Sequence, residues 1–138
     1  MTNQEKIRFL RRYREAEGIT RDLEDQLAEL RTRAAKITPV WGDVPAGGGS
    51  DRLQSAVVKL EELEGRIGDH IQEQLSIRQQ VVDTIQQVQE PKLRRLLWLR
   101  YISGYTWERV AVEMHYGFRQ VLRMHGAALN CVEIERMS

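Results

Sequence analysis

Residues 91–129 read PKLRRLLWLRYISGYTWERVAVEMHYGFRQVLRMHGAAL, and the fold turns on how this stretch divides. The segment from Thr106 to Met114 has the length and patterning of a short helix. His115-Tyr116-Gly117 suits a tight turn, and Phe118 opens a second helix. Helix, three-residue turn and helix make up the helix-turn-helix plan, in which the second helix enters the major groove of DNA. Two short helices that cross steeply need a small residue where they touch, and Ala111 supplies it. Val110, Met114, Tyr116, Val121 and Met124 fall at the intervals that fill the space between them. Thr106 can accept hydrogen bonds from the first free N–H groups of the first helix, and Glu108 in its first turn favours the helix dipole. Gly104 suits the left-handed residue that closes a preceding helix. The turn residue after Met114 is often Gly in such units. Here it is His115, one of the types that tolerate φ > 0.

Upstream, Pro91 sits at the first position of a third helix, where a missing N–H costs nothing. Leu93, Leu96, Leu97 and Ile102 form its apolar side, and Trp98 is read as core, with a partner contact as the alternative. In the last helix Val121, Met124 and Ala128 should face inward. Phe118, Arg119, Gln120, Leu122, Arg123 and Gly126 are then left for the groove or for solvent. Arg can bond guanine O6 and N7 together, Gln can bond adenine N6 and N7, and Phe118 can touch a thymine methyl. Arg95, Arg100, Thr106 and Arg109 are candidates for phosphate contact, which sets register and salt dependence without reading sequence. Gly117 is a weak helix cap but lets a backbone approach closely. Gly126 inside a helix is costly, so a close backbone approach or a bend is expected there.

The run from Arg100 to Ala111, with Met114 to Val121 and His125 to Leu129, resembles region 4 of sigma factors. More closely it resembles the small sigma-region-4-like regulators of phages and prophages of Gram-positive bacteria, the RinA/ArpU-type late regulators and their relatives. The loop of residues 39–50 and the long helix after it also look like those relatives. The resemblance implies a sequence-specific, DNA-binding transcriptional regulator of phage or prophage late genes. It implies that the positions of Phe118, Arg119, Gln120, Leu122 and Arg123 meet bases. It also makes RNA polymerase a candidate partner through the helix that begins at Pro91. Phe118 and Leu122 replace residues that are often polar in sigma factors, so the sequence read should differ from an ordinary −35 element.

The remainder of the chain is expected to be a long antiparallel helical hairpin, giving an all-α protein with residues 1–90 as hairpin and 91–138 as the DNA-binding module. A capping box of Thr2 and Glu5 opens the first helix, over about residues 2–36. Leu10, Tyr13, Thr20, Leu23, Leu27, Leu30, Ala34 and Ile37 form its stripe at near-heptad period. Gly18 interrupts that stripe. Lys6, Arg8, Arg11, Arg12 and Arg14 form a basic cluster, read first as a solvated face, with DNA backbone contact as the alternative. Pro39, Gly42, Pro45 and Gly47-Gly48-Gly49 break the helix over residues 37–50. Trp41 in this loop is read as a cap on the hairpin end. A second helix over about 51–89 carries Leu53, Val57, Leu60, Ile67, Ile71, Val81, Ile85 and Val88, with Gln74 interrupting the stripe. At ~1.5 Å per residue both helices would be roughly 50–60 Å long. A two-helix hairpin has little core of its own, so a homodimer formed through it is expected.

Composition excludes several classes. The chain has 138 residues, 30% charged and 7% aromatic, which suits long solvated helices. Net charge is +1, so this is not a uniformly basic DNA condenser. The charge is uneven: residues 1–90 carry 13 Lys/Arg against 16 Asp/Glu, and residues 91–138 carry 8 against 4. The phosphate-seeking charge therefore lies in the C-terminal module. One cysteine, Cys131, excludes an internal disulfide framework and a Cys-rich zinc site. His70, His115 and His125 have no metal-ligand spacing, and Gly47-Gly48-Gly49 lacks the strand and Lys of a phosphate loop. No enzyme activity, cofactor or metal is expected. No apolar run approaches the ~20 residues of a membrane helix, and no secretory signal is seen, so a cytoplasmic location in a bacterial host is expected. Two other readings stay open: a small terminase-like packaging subunit, and a helical scaffold whose C-terminal module binds protein rather than DNA.

Overall fold

The computed structural model describes residues 1–37 and 48–134, and the readings of Trp41 and of the loop around it fall outside them. The described residues form helices joined by short connections, with no strand. In chain order they form α1 (Asn3–Ile37), α2 (Gly48–Gln86), α3 (Pro91–Leu97), which continues into a π-helical turn (Trp98–Ile102), α4 (Trp107–Met114) and α5 (Phe118–Cys131). Among the described residues, no helix is long and apolar enough to cross a membrane.

Local chemistry sets the helix limits. Thr2 Oγ1 accepts the Glu5 amide at 3.2 Å and opens α1. The second helix stops at Gln86, short of the expected 89, because the chain tightens there. Gln87 N–H donates to Thr84 O and Val88 N–H to Ile85 O, the i→i−3 pattern of a closing turn. Glu90 is then extended, at φ −76° and ψ 120°, as the residue before a proline prefers. Pro91 occupies the first turn of α3.

The chain divides into two compact units, and α1 and α2 contribute to both. One comprises Glu17–Glu73. In it Leu23 and Leu27 of α1 and Leu63 and Ile67 of α2 are buried together, with Leu30 and Leu60 packed on them. Arg31 pairs with Glu64 at 3.2 Å. The other comprises Met1–Ala16 and Gln74–Ser138. Its core joins Leu10 of α1 and Ile77, Val81 and Ile85 of α2 to Leu96 and Leu97 of α3, Val110 of α4 and Val121 of α5. The C-terminal helices thus share one core with segments that the sequence boundary at residue 90 assigns to the hairpin.

Gly126 has neither of the expected reasons for being glycine. It lies inside an unbroken α5, and a Cβ built there meets nothing within 4 Å. Gly126→Ala should therefore raise stability by about 0.5–1 kcal/mol, through helix propensity alone. Chemical denaturation of the two proteins checks this. A loss of stability would mean that α5 is bent or crowded at this residue.

Candidate nucleic-acid interface

The interface is built from α4, residues 115–117 and α5. Thr106 is extended and its Oγ1 accepts the Arg109 amide, so it caps α4 as its residue type suggests. α4 ends at His115, which is left-handed at φ 60° and ψ 40°. His115 N–H donates to Val112 O and Tyr116 N–H to Ala111 O, which satisfies the last carbonyls of α4. Gly117 then turns extended at φ −68° and ψ 152°, and α5 begins with no side-chain cap. Val110, Ala111, Met114 and Val121 are buried in one core cluster. Tyr116 and Met124 are half-buried against the same cluster.

Three basic residues of α1 contact other parts of the unit. Gly104 has φ 75°, and the Arg14 guanidinium occupies the space a Cβ would need. Lys6 Nζ donates to Leu129 O at 2.8 Å, near the C-terminal end of α5. Arg12 donates to Gln80 Oε1 at 3.1 Å and lies over the Phe9 ring. Within the N-terminal basic cluster Lys6 and Arg14 are half-buried, whereas Arg8, Arg11 and Arg12 are exposed, as a solvated face requires. Trp98 is half-buried on the core, with Arg78 over its ring.

A second cluster lies beneath α5. Tyr101 Oη and His125 Nε2 are 2.7 Å apart, and the Trp107 ring packs on His125 in a tilted arrangement, with centroids 4.4 Å apart and planes at 56°. Burial pushes the Tyr101 phenol up to about 12, so it stays protonated and donates. Burial, and secondarily the Arg100 charge, hold His125 down at about 4, so it stays neutral and accepts. Protonation therefore favours the unfolded chain. Its contribution is complete above the ordinary histidine value of 6.5 and is lost as pH falls towards about 4. Because the ring is partly exposed, the loss should be only about 1–2 kcal/mol. Unfolding free energies at pH 7 and 4.5 should differ by that much more in the wild type than in His125→Gln. An equal pH dependence in the two proteins would exclude His125 as the source.

The sequence-derived base-contact residues come together on the first two turns of α5. Phe118 and Leu122 are 44% and 40% exposed, and Arg119, Gln120 and Arg123 are exposed beside them. The backbone-contact candidates divide. Thr106 and Arg109 are exposed in the first turn of α4, Arg95 is exposed on α3, and Gly117 is exposed ahead of α5. Arg109 lies flat over the Tyr105 ring, 3.7 Å from its centroid. Arg100 is half-buried, donates to Tyr105 O at 2.9 Å and lies over Trp107. Arg100 thus holds the loop before α4, and its guanidinium is already engaged. The ion pairs of the described residues lie on α1 and α2. Among the described residues, Arg95, Arg109, Arg119 and Arg123 have no carboxylate within 4.0 Å.

Sequence reasoning missed Tyr105, Trp107 and His125 as supports of this face. A Tyr and a His 24 residues apart carry no joint signal in a single chain. No family model, curated protein or solved structure matches this chain.

Proposed function

We propose that this protein is a sequence-specific DNA-binding transcriptional regulator. Residues 106–131 act as a helix-turn-helix whose second helix, α5, lies in the major groove. The observation that carries this reading is the outer face of α5. It presents Arg119, Gln120 and Arg123 with no carboxylate of the described residues on the arginines, behind a three-residue connection that passes through a left-handed His115. Arg119 and Arg123 read guanine and Gln120 reads adenine. Arg95, Thr106, Arg109 and the Gly117 backbone hold the phosphates on either side. The resemblance to sigma region 4 further suggests control of phage or prophage late genes and contact with RNA polymerase.

The long helices supply the second half of the proposal. The ion pair of Arg31 with Glu64 and the shared burial of Leu23, Leu27, Leu63 and Ile67 are what an antiparallel hairpin makes. Four buried apolar side chains are a small core for such a unit. Ile19, Val57, Val58 and Ile71 remain exposed on it. Pairing of two copies would cover apolar surface there, and it would present two α5 helices to a pseudo-palindromic site.

The test is selection of bound duplexes from a randomised pool, followed by titration at several salt concentrations. A short enriched motif, present as two spaced half-sites, is the expected result. Salt-sensitive binding with no enrichment would favour a packaging or architectural role instead. Failure to retain any duplex at low salt would leave the module as a protein-binding scaffold.

A further inference from the structure

α5 turns two kinds of side chain outward on the same two turns. Arg119 and Arg123 stand one helical turn apart, and Phe118 and Leu122 repeat that spacing alongside them. The two apolar residues are 44% and 40% exposed, although the helix has a buried stripe of its own in Val121, Ala128 and Leu129. The face is therefore cationic and apolar at once, and its arginines have no carboxylate partner among the described residues.

Among polyanions, duplex DNA matches both features in one groove. Its phosphates and guanine edges meet the arginines, and the pyrimidine 5-methyl group is the apolar element of the major-groove edge. We infer that Phe118 and Leu122 form a methyl-reading pair, each packing on the 5-methyl group of a pyrimidine beside the guanines bound by Arg119 and Arg123. This inference rests on the DNA-binding reading and adds to it a second determinant of sequence. One helical turn advances about 5.4 Å, and successive bases on a strand are about 3.4 Å apart. The two methyl groups therefore belong to positions one or two base steps apart. Thymine carries this methyl always and cytosine only when modified at C5, so the same pair makes binding sensitive to cytosine methylation at those positions.

The experiment uses the full chain and the duplex recovered from the randomised pool, resynthesised with deoxyuridine in place of each thymidine in turn. This change removes one methyl group and leaves every hydrogen bond in place. At two positions the wild type should bind about four-fold more weakly, and about fifteen-fold more weakly when both methyls are removed. Phe118→Ala should abolish the sensitivity at one position and Leu122→Ala at the other, while both variants keep the guanine preference. Both residues are exposed, and thermal unfolding of each variant confirms that it is folded. Sequence-specific binding that stays within about two-fold for every deoxyuridine substitution would overturn the inference and leave the regulator reading standing. Alanine variants that keep full methyl sensitivity would do the same. Absence of any enriched duplex would remove both readings together.

Discussion

Arg119→Ala/Arg123→Ala should fold normally and lose about 10²–10⁴-fold in affinity for the selected duplex, since each two-pronged arginine–guanine contact supplies about 1–3 kcal/mol. Folding should be unaffected because both side chains are exposed on α5. Affinity for a scrambled duplex should fall far less, so the measured quantity is the ratio of the two affinities. A Lys pair at the same positions sharpens the test. Lysine keeps the charge and loses the planar fork, so Arg119→Lys/Arg123→Lys should retain the salt dependence and lose the discrimination. If the ratio is unchanged in both double variants, α5 does not read bases. Arg100→Ala is the instructive contrast. Its guanidinium holds Tyr105 O and covers Trp107, so its removal should lower stability first and affinity only through the folded fraction.

The parts of this fold that were legible in sequence are those fixed within a few residues. Thr106 caps α4, His115 and Gly104 take positive φ, and Ala111 is buried. Each of these follows from the chemistry of one residue type against its immediate neighbours. The π-helical turn was less visible. The apolar series Leu96, Leu97, Tyr101 and Ile102 reads as an ordinary helical stripe, yet Leu97 and Ile102 are five residues apart and both buried. The long-range locks could not be read at all. Lys6 reaches Leu129 across 123 residues, and Arg14 fills the space beside Gly104. Charge alone does not reveal that Lys6 and Arg100 are half-buried and engaged while Arg119 and Arg123 are exposed. Gln74 has a related ambiguity. It interrupts the α2 stripe, and its Oε1 is buried with no hydrogen-bond partner among the described residues.

Leu10→Ala should destabilise the C-terminal helices although it lies far from them in sequence. Leu10 is 0% exposed and belongs to the same buried cluster as Leu96, Leu97 and Val121. Deleting a fully buried leucine side chain costs about 2–5 kcal/mol, a large share of the roughly 5–15 kcal/mol that a whole domain has. Thermal unfolding followed by the fluorescence of Trp98 and Trp107, both half-buried in this unit, should show a midpoint lowered by roughly 10–20 °C. Leu96→Ala, made within α3, should have a comparable effect. An independent C-terminal domain would respond to Leu96→Ala and ignore Leu10→Ala. The same reasoning predicts that a fragment beginning at Pro91 will not fold, since it lacks Leu10, Ile77, Val81, Ile85 and Val88 and would expose the apolar side of α3. DNA binding separates this role from that of the α5 face. At temperatures where Leu10→Ala remains folded, its affinity for the selected duplex should equal that of the wild type, because Leu10 supports the reading helix only through the core.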